Sequence, residues 1–124
     1  MSAKTPEELL PLFQKHMNAG DVAAVVKLYE PEGILVPPGG QPASGLAQVR
    51  AAVQPFLDAK AELSLHAQKV MIAGDIAVIY DDWTATMDGP EGGRVDLAGK
   101  AIEICRRQAD GSWLFVFDDA TARE

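Results

Sequence analysis

Four long stretches in the second half of the chain, about 61–72, 75–87, 94–108 and 113–120, constrain the fold more than anything else in the sequence. Each carries β-branched, aromatic and other apolar residues suited to a pleated surface. The gaps between them are short and made of turn formers: Gly74-Asp75, then Asp88-Gly89-Pro90-Glu91-Gly92-Gly93, then Asp110-Gly111. Such gaps predict an antiparallel meander. A strand of about fifteen residues is too long to stay flat, so a strongly curved sheet is expected.

The first half reads as helix. Thr5-Pro6-Glu7-Glu8 has the form of a capping box, with Pro6 where a missing N–H costs nothing. Leu9, Leu10, Phe13 and Met17 then recur at helical spacing. Gly20 is a left-handed stop and Asp21 a cap for a second helix, predicted to run to about Tyr29 and to bury Val22, Val25, Val26 and Tyr29. Pro31 and Gly33 end it, Ile34-Leu35-Val36 is a short strand, and Pro37-Pro38-Gly39-Gly40 is a turn. Ser44 is expected to cap a third helix carrying Leu46, Val49, Val53, Phe56 and Leu57. Helices first and strands afterwards predict an α+β domain spanning residues 1–124, with three helices packed into the concave side of the sheet as a cone with a pocket at its open end.

Charge and composition remove several functions. Eighteen acidic residues against eleven basic ones leave a net charge of −7, which repels a polyanion and argues against nucleic-acid binding. The single cysteine, Cys105, excludes an intramolecular disulfide and a cysteine-rich zinc site. His16 and His66 stand in no metal-ligand spacing, so neither a metal nor another cofactor is expected. No apolar run approaches the roughly 20 residues of a membrane span. Met1-Ser2-Ala3-Lys4-Thr5-Pro6 lacks the apolar core of a signal peptide, so the expected location is the cytoplasm.

In order and spacing, several local strings resemble the nuclear transport factor 2-like superfamily, within its ketosteroid isomerase-like and SnoaL-like polyketide cyclase branch, which has a cystatin-like fold. They are Asn18-Ala19-Gly20-Asp21, Ser44-Gly45, Gly74-Asp75-Ile76-Ala77 and the run from Arg106 to Trp113. The resemblance spans about residues 7–120. It implies fold more than chemistry, because this fold hosts isomerases, cyclases, dehydratases and non-catalytic oligomerisation domains. The general base of ketosteroid isomerase matches Pro37 here, its oxyanion-donating tyrosine matches Phe13, and its protonated aspartate matches Glu103. Two of those three roles are absent, so steroid isomerisation by that route is not implied.

Taking Glu103 as inward-facing puts Ala101, Cys105 and Arg107 on the same face by strand alternation. Matching neighbouring strands to the family turns Tyr80, Asp82 and Thr84 inward on one strand, and Val116 and Asp118 on another. Glu103, Asp82 and Asp118 are the expected catalytic acids, since carboxyls crowded in a low-dielectric pocket cannot all ionise. Phe13, Met17, Tyr80, Thr84, Cys105, Arg107 and Val116 are expected to line the pocket. The expected ligand is a small apolar molecule bearing a carbonyl or hydroxyl; whether acid/base turnover follows binding stays open. The alternative is a non-catalytic oligomerisation or ligand-sensing domain with a vestigial pocket. Apolar residues occupy both alternating faces, Ile76 and Val78 against Ala77 and Ile79, and Leu114 and Val116 against Trp113, Phe115 and Phe117. A homodimer through the outer sheet face is therefore expected.

Overall fold

A computed structural model of the protein describes residues 2–124. The elements are α1 (Leu9–Asn18), α2 (Val22–Val26), β1 (Tyr29–Val36), β2 (Ala43–Ser44), α3 (Leu46–Asp58), β3 (Glu62–Ala73), β4 (Ile76–Asp88), β5 (Arg94–Arg107) and β6 (Trp113–Asp119), with a 3-10 turn at Pro6–Glu8 ahead of α1. They form an α+β unit with one six-stranded sheet in the order β2-β1-β6-β5-β4-β3. The last four strands are the expected meander. The sheet is mixed because β1 lies parallel to β6 and antiparallel to β2.

The helix ends follow local chemistry, with three departures. Thr5 Oγ1 accepts from the Glu8 N–H at 3.4 Å, and Glu8 Oε1 accepts in return from Lys4 rather than from Thr5. Gly20 is left-handed at φ +71°, and Asp21 Oδ1 caps α2 by accepting from the Ala24 N–H at 3.1 Å. The second helix, however, stops at Val26 instead of running to Tyr29. The Leu28 carbonyl accepts from the Phe115 N–H at 2.8 Å, so pairing with β6 takes the backbone that the helix would have used. Strand β1 accordingly starts at Tyr29 and includes Pro31 and Gly33, which were expected to precede it. Its register against β6 shifts between Tyr29 and Ile34, leaving 30–33 as an irregular segment. Gly33 is needed there: a Cβ would lie 3.0 Å from the Glu30 carbonyl oxygen and 3.2 Å from that of Phe115.

Ser44 does not cap α3. It lies in β2 opposite Ile34, and Gly45, at φ +84° and ψ 160°, is the capping residue. That backbone conformation is open essentially to glycine alone. The Ser44 N–H instead donates to Gln48 Oε1 at 2.9 Å.

Helix α1 is stitched to the free edge of β3. Asn18 accepts from the Leu63 N–H at 2.7 Å and donates to its carbonyl at 3.0 Å, while Gln14 Oε1 accepts from the Leu65 N–H at 2.9 Å. Side chains thus satisfy an edge that would otherwise invite pairing with another chain. The stitching holds Phe13 and Met17 over the sheet, where with Leu9, Leu10, Val49 and Val53 they pack on Tyr29, Leu35, Ile79 and Phe115. A second, smaller apolar cluster gathers Trp83, Ala85 and Ala101. Among the described residues no helix is long and apolar enough to cross a membrane.

Candidate functional site

Between the two apolar clusters the inner face of the sheet turns acidic. On β4 the inward positions run Ile79, Asp81, Trp83, and on β5 they run Cys105, Glu103, Ala101. Glu103 stands directly opposite Asp118 on β6, and Asp81 opposite Ala101, one diagonal step from Glu103. Asp81 and Glu103 are each 2% exposed and Asp118 is 8% exposed. All three line a cavity of about 80 Å³ open to the centres of water molecules. Its remaining wall is apolar and aromatic: Phe13, Phe56, Trp83 and Phe115 line it, with Leu10, Met17, Leu35, Val53 and both prolines, Pro37 and Pro38.

The acids receive unequal help. The Tyr29 hydroxyl donates to Asp118 Oδ2 at 2.7 Å, and the His66 backbone N–H donates to Asp81 Oδ1 at 3.0 Å. Glu103 receives neither kind of donor, and its Oε1 is buried without a partner among the described residues. Asp81 and Glu103 interact directly, each carboxyl shifting the proton affinity of the other.

Burial sets the direction for each acid, because it penalises the ionised form. Asp118 is pushed up to about 7 by burial, against the pull of the Tyr29 hydroxyl and with a further push from the Asp81 charge. Glu103 is raised well above the ordinary carboxyl range by burial, then by the charges of Asp118 and Asp81. Burial raises Asp81 as well, opposed by the His66 N–H. The Tyr29 hydroxyl is pushed up by burial and by Asp118, so it stays a donor. Such a group holds protons at neutral pH where ordinary carboxyls do not, which is the condition for acid/base work.

Of the residues expected at the site, Glu103, Asp118, Phe13 and Met17 line the cavity. Cys105 is fully buried on the same strand face as Glu103 but is not part of the wall, and burial raises its thiol. The others are placed elsewhere. Tyr80, Asp82 and Thr84 occupy the opposite face of β4, because the inward set is Ala77, Ile79, Asp81, Trp83 and Ala85. Asp82 bonds Arg123 at 2.6 Å and Lys100 at 3.4 Å, and the Arg123 hydrogen bond holds its carboxyl below the usual range. The Arg123 guanidinium lies over the Tyr80 ring at 5.0 Å. Arg107 is exposed and bonds Asp75 at 2.6 Å. Val116 is the extra residue at a bulge: Ile104 pairs with Phe117 but Cys105 with Phe115. That bulge reverses the alternation, so Asp118 faces the cavity although Val116 is not in its wall.

Two site residues escaped the sequence reading. Asp81 was legible in principle, since Tyr80, Asp82, Thr84 and Thr86 give the other face of β4 a polar character suited to solvent. Tyr29 was assigned to a helix, and only its pairing beside Phe115 on β6 brings it near Asp118.

Solved structures share this fold. A ketosteroid isomerase-like protein from Erwinia carotovora atroseptica SCRI1043 superposes with a TM-score of 0.82 at 19% identity, over 95% of this chain and 93% of that one. A nuclear transport factor 2-like protein with a cystatin-like fold from Novosphingobium aromaticivorans gives 0.78 at 18% identity, over 94% and 79%. A candidate calcium/calmodulin-dependent protein kinase II association domain from Xanthomonas campestris gives 0.80 at 21% identity, over 95% and 86%. No curated protein matches the chain in sequence. The fold is that of the nuclear transport factor 2-like superfamily. Residues 12–116 match the SnoaL-like domain, and the chain belongs to that family.

Proposed function

We propose that this protein binds a small, largely apolar molecule bearing a carbonyl or hydroxyl group between its helices and the inner face of its sheet, and moves a proton on it. The observation that carries the reading is Glu103: a buried carboxyl in an apolar cavity wall, with Oε1 unpartnered and its proton held well above the ordinary range. In this reading the sheet wraps the helices as a cone, and the protein is a cytoplasmic homodimer. The Asp81–Glu103 pair, holding one proton between two carboxyls, can give it to a carbonyl oxygen or take one from an adjacent C–H or O–H. Asp118, held by Tyr29, adds the like charge that keeps the proton on the pair. Asp82 has no part in it.

Proton exchange at the carbon beside a carbonyl tests the reading directly. Cyclohexanone in D₂O should perturb amide signals of Phe13, Met17 and Glu103, and its α-protons should exchange faster than in buffer. Asp81→Asn should abolish the acceleration while Asp82→Asn keeps it. Failure of cyclohexanone and cyclohexanol alike to perturb the cavity signals would overturn the reading. A second reading, a ligand-sensing or oligomerisation domain with a vestigial pocket, is favoured by Pro37 and Phe13, cavity residues that carry no titratable group. Binding without accelerated exchange would decide for it.

A further inference from the structure

Beyond the protons its acids hold, the cavity is short of hydrogen-bond donors. Its polar side chains are the Asp81, Glu103 and Asp118 carboxyls and the Trp83 indole N–H, which is spent on the Ala120 carbonyl, and among the described residues no Lys, Arg or His side chain lines it. The Tyr29 hydroxyl is spent on Asp118 and the His66 N–H on Asp81. Glu103, 2% exposed and with Oε1 unpartnered among the described residues, has only the Asp81 carboxyl acting on it as a side-chain neighbour on β4. Carboxyl oxygens left dry and unpaired are costly, so an occupant is favoured in proportion to the N–H or O–H groups it brings. A carbonyl brings none and a hydroxyl one. A protonated amine brings two or three, together with a positive charge.

The apolar part of the wall selects in the same direction. Phe13, Phe56, Trp83 and Phe115 ring the cavity, and aromatic side chains attract cations that carboxylates alone would hold less tightly. The Arg123 guanidinium is engaged by the backbone carbonyls of Asp81 and Ala101 and by Asp82, and it is not part of the cavity wall. Among the described residues no three His, Cys, Asp or Glu side chains converge as a metal ion requires. We infer that the cavity is a site for a small apolar amine, bound as its ammonium ion with N–H groups on Glu103 and its acidic neighbours. This goes beyond the carbonyl and hydroxyl chemistry proposed above and does not depend on turnover.

The groups facing Glu103 define the pH dependence. They are Asp81 from β4, Asp118 from β6, Tyr29 from β1 through Asp118, and Cys105 on its own strand, with Arg123 behind Asp81 and Ala101 and His66 from β3 beside Asp81; α1 and α3 contribute apolar wall. As pH rises the carboxyls ionise while an alkylamine keeps its proton, so amine affinity must rise.

The test titrates the full chain with benzylamine, benzyl alcohol, acetophenone and benzoate, following cavity amide signals at pH 5 and pH 8. At pH 8 benzylamine should bind about tenfold or more tighter than benzyl alcohol and acetophenone, benzoate should not bind, and benzyl alcohol should compete for the same site. At pH 5 the amine preference should fall by about tenfold. Glu103→Gln should lose most of the preference for benzylamine over benzyl alcohol; if it fails to fold, Asp81→Asn and the pH dependence of the native chain carry the same test. Benzyl alcohol or acetophenone binding as tightly as benzylamine at pH 8 overturns the inference and leaves the proposed function standing. Benzylamine binding while both neutral probes fail does the reverse, and no binding by any probe overturns both.

Discussion

The Tyr29 hydroxyl reaches Asp118 Oδ2 at 2.7 Å across the seam where β1 runs parallel to β6. Both groups are buried, and each is 89 residues from the other in sequence. The contact joins the first strand to the acid row, so it ties the sheet's one parallel junction to the cavity chemistry.

Replacing that tyrosine by phenylalanine keeps the ring and removes only the donor. Tyr29→Phe should lower stability by about 1–3 kcal/mol, the usual cost of leaving a buried acceptor unpaired. The loss should be larger at pH 8 than at pH 5, because the hydroxyl favours the ionised form of Asp118. Carboxyl titration by carbon NMR should place Asp118 above its native position of about 7. A variant with an unchanged Asp118 titration would show that the hydroxyl does not control this acid.

Stability should fall as pH rises through the weakly acidic range. Asp81, Glu103 and Asp118 all have raised native pKa values, so between the ordinary carboxyl range and about 7 the folded chain holds protons that the unfolded chain has released. Unfolding free energy decreases with pH wherever the native state binds more protons. The decrease should be on the order of a few kcal/mol between pH 4 and pH 8. Glu103→Gln mimics the neutral acid; it should leave stability at neutral pH unchanged or improved and flatten the profile. Urea denaturation of both proteins across this range checks it. A native profile that rises with pH, or a marked loss of stability in the glutamine variant, would sink the idea of a protonated row.

How far the sequence reveals the site depends on the strand. The meander and its turns are written in Gly74-Asp75 and Asp110-Gly111, and the inward facing of Glu103, which the family resemblance implies, agrees with its buried neighbours Ala101 and Cys105. On β4 the choice between Asp81 and Asp82 is a choice of parity between adjacent aspartates, and a one-residue slip moves every side chain to the other face. On β6 no parity rule works at all, since the bulge at Val116 lets Phe115 and Asp118 share a face three residues apart. Bulges and parallel pairing are set by the rest of the sheet, so Tyr29 and the exact wall of the cavity lie beyond pattern reading.

Gly99 controls the other end of the cavity. A Cβ there would lie 2.6 Å from Trp83 Nε1, so the indole packs flat against bare backbone. The same nitrogen donates to the Ala120 carbonyl at 2.7 Å, and Trp83 and Ala120 both line the cavity. Gly99→Ala should therefore displace Trp83, break that hydrogen bond and cost about 1–3 kcal/mol through overpacking. Loss of protection of the Trp83 indole N–H in exchange measurements, with the Trp113 indole unaffected, is the expected signature. Retained Trp83 protection with native stability would show that the ring can shift without leaving its partner.

The outer face of the sheet carries the last prediction. Register aligns Ile34, Phe117, Ile104, Val78 and Met71 in one row across five strands. Phe117 is 43% exposed and Met71 38%, so this apolar row faces outward from the chain. Ion pairs lie on the same strands, Glu30 with Arg106 at 2.9 Å and, four residues along from the row, Asp82 with Lys100 at 3.4 Å. A second copy related by a two-fold axis would set an apolar row against the first, so a homodimer through this face is the expected assembly. A stable dimer needs roughly 800 Å² buried on each side, an area that a five-strand face can supply. Sedimentation equilibrium at tens of micromolar should give twice the 13.2 kDa of one chain, and Phe117→Lys should return the single-chain mass without loss of fold. A native protein that sediments as a monomer at that concentration would leave the row without this partner.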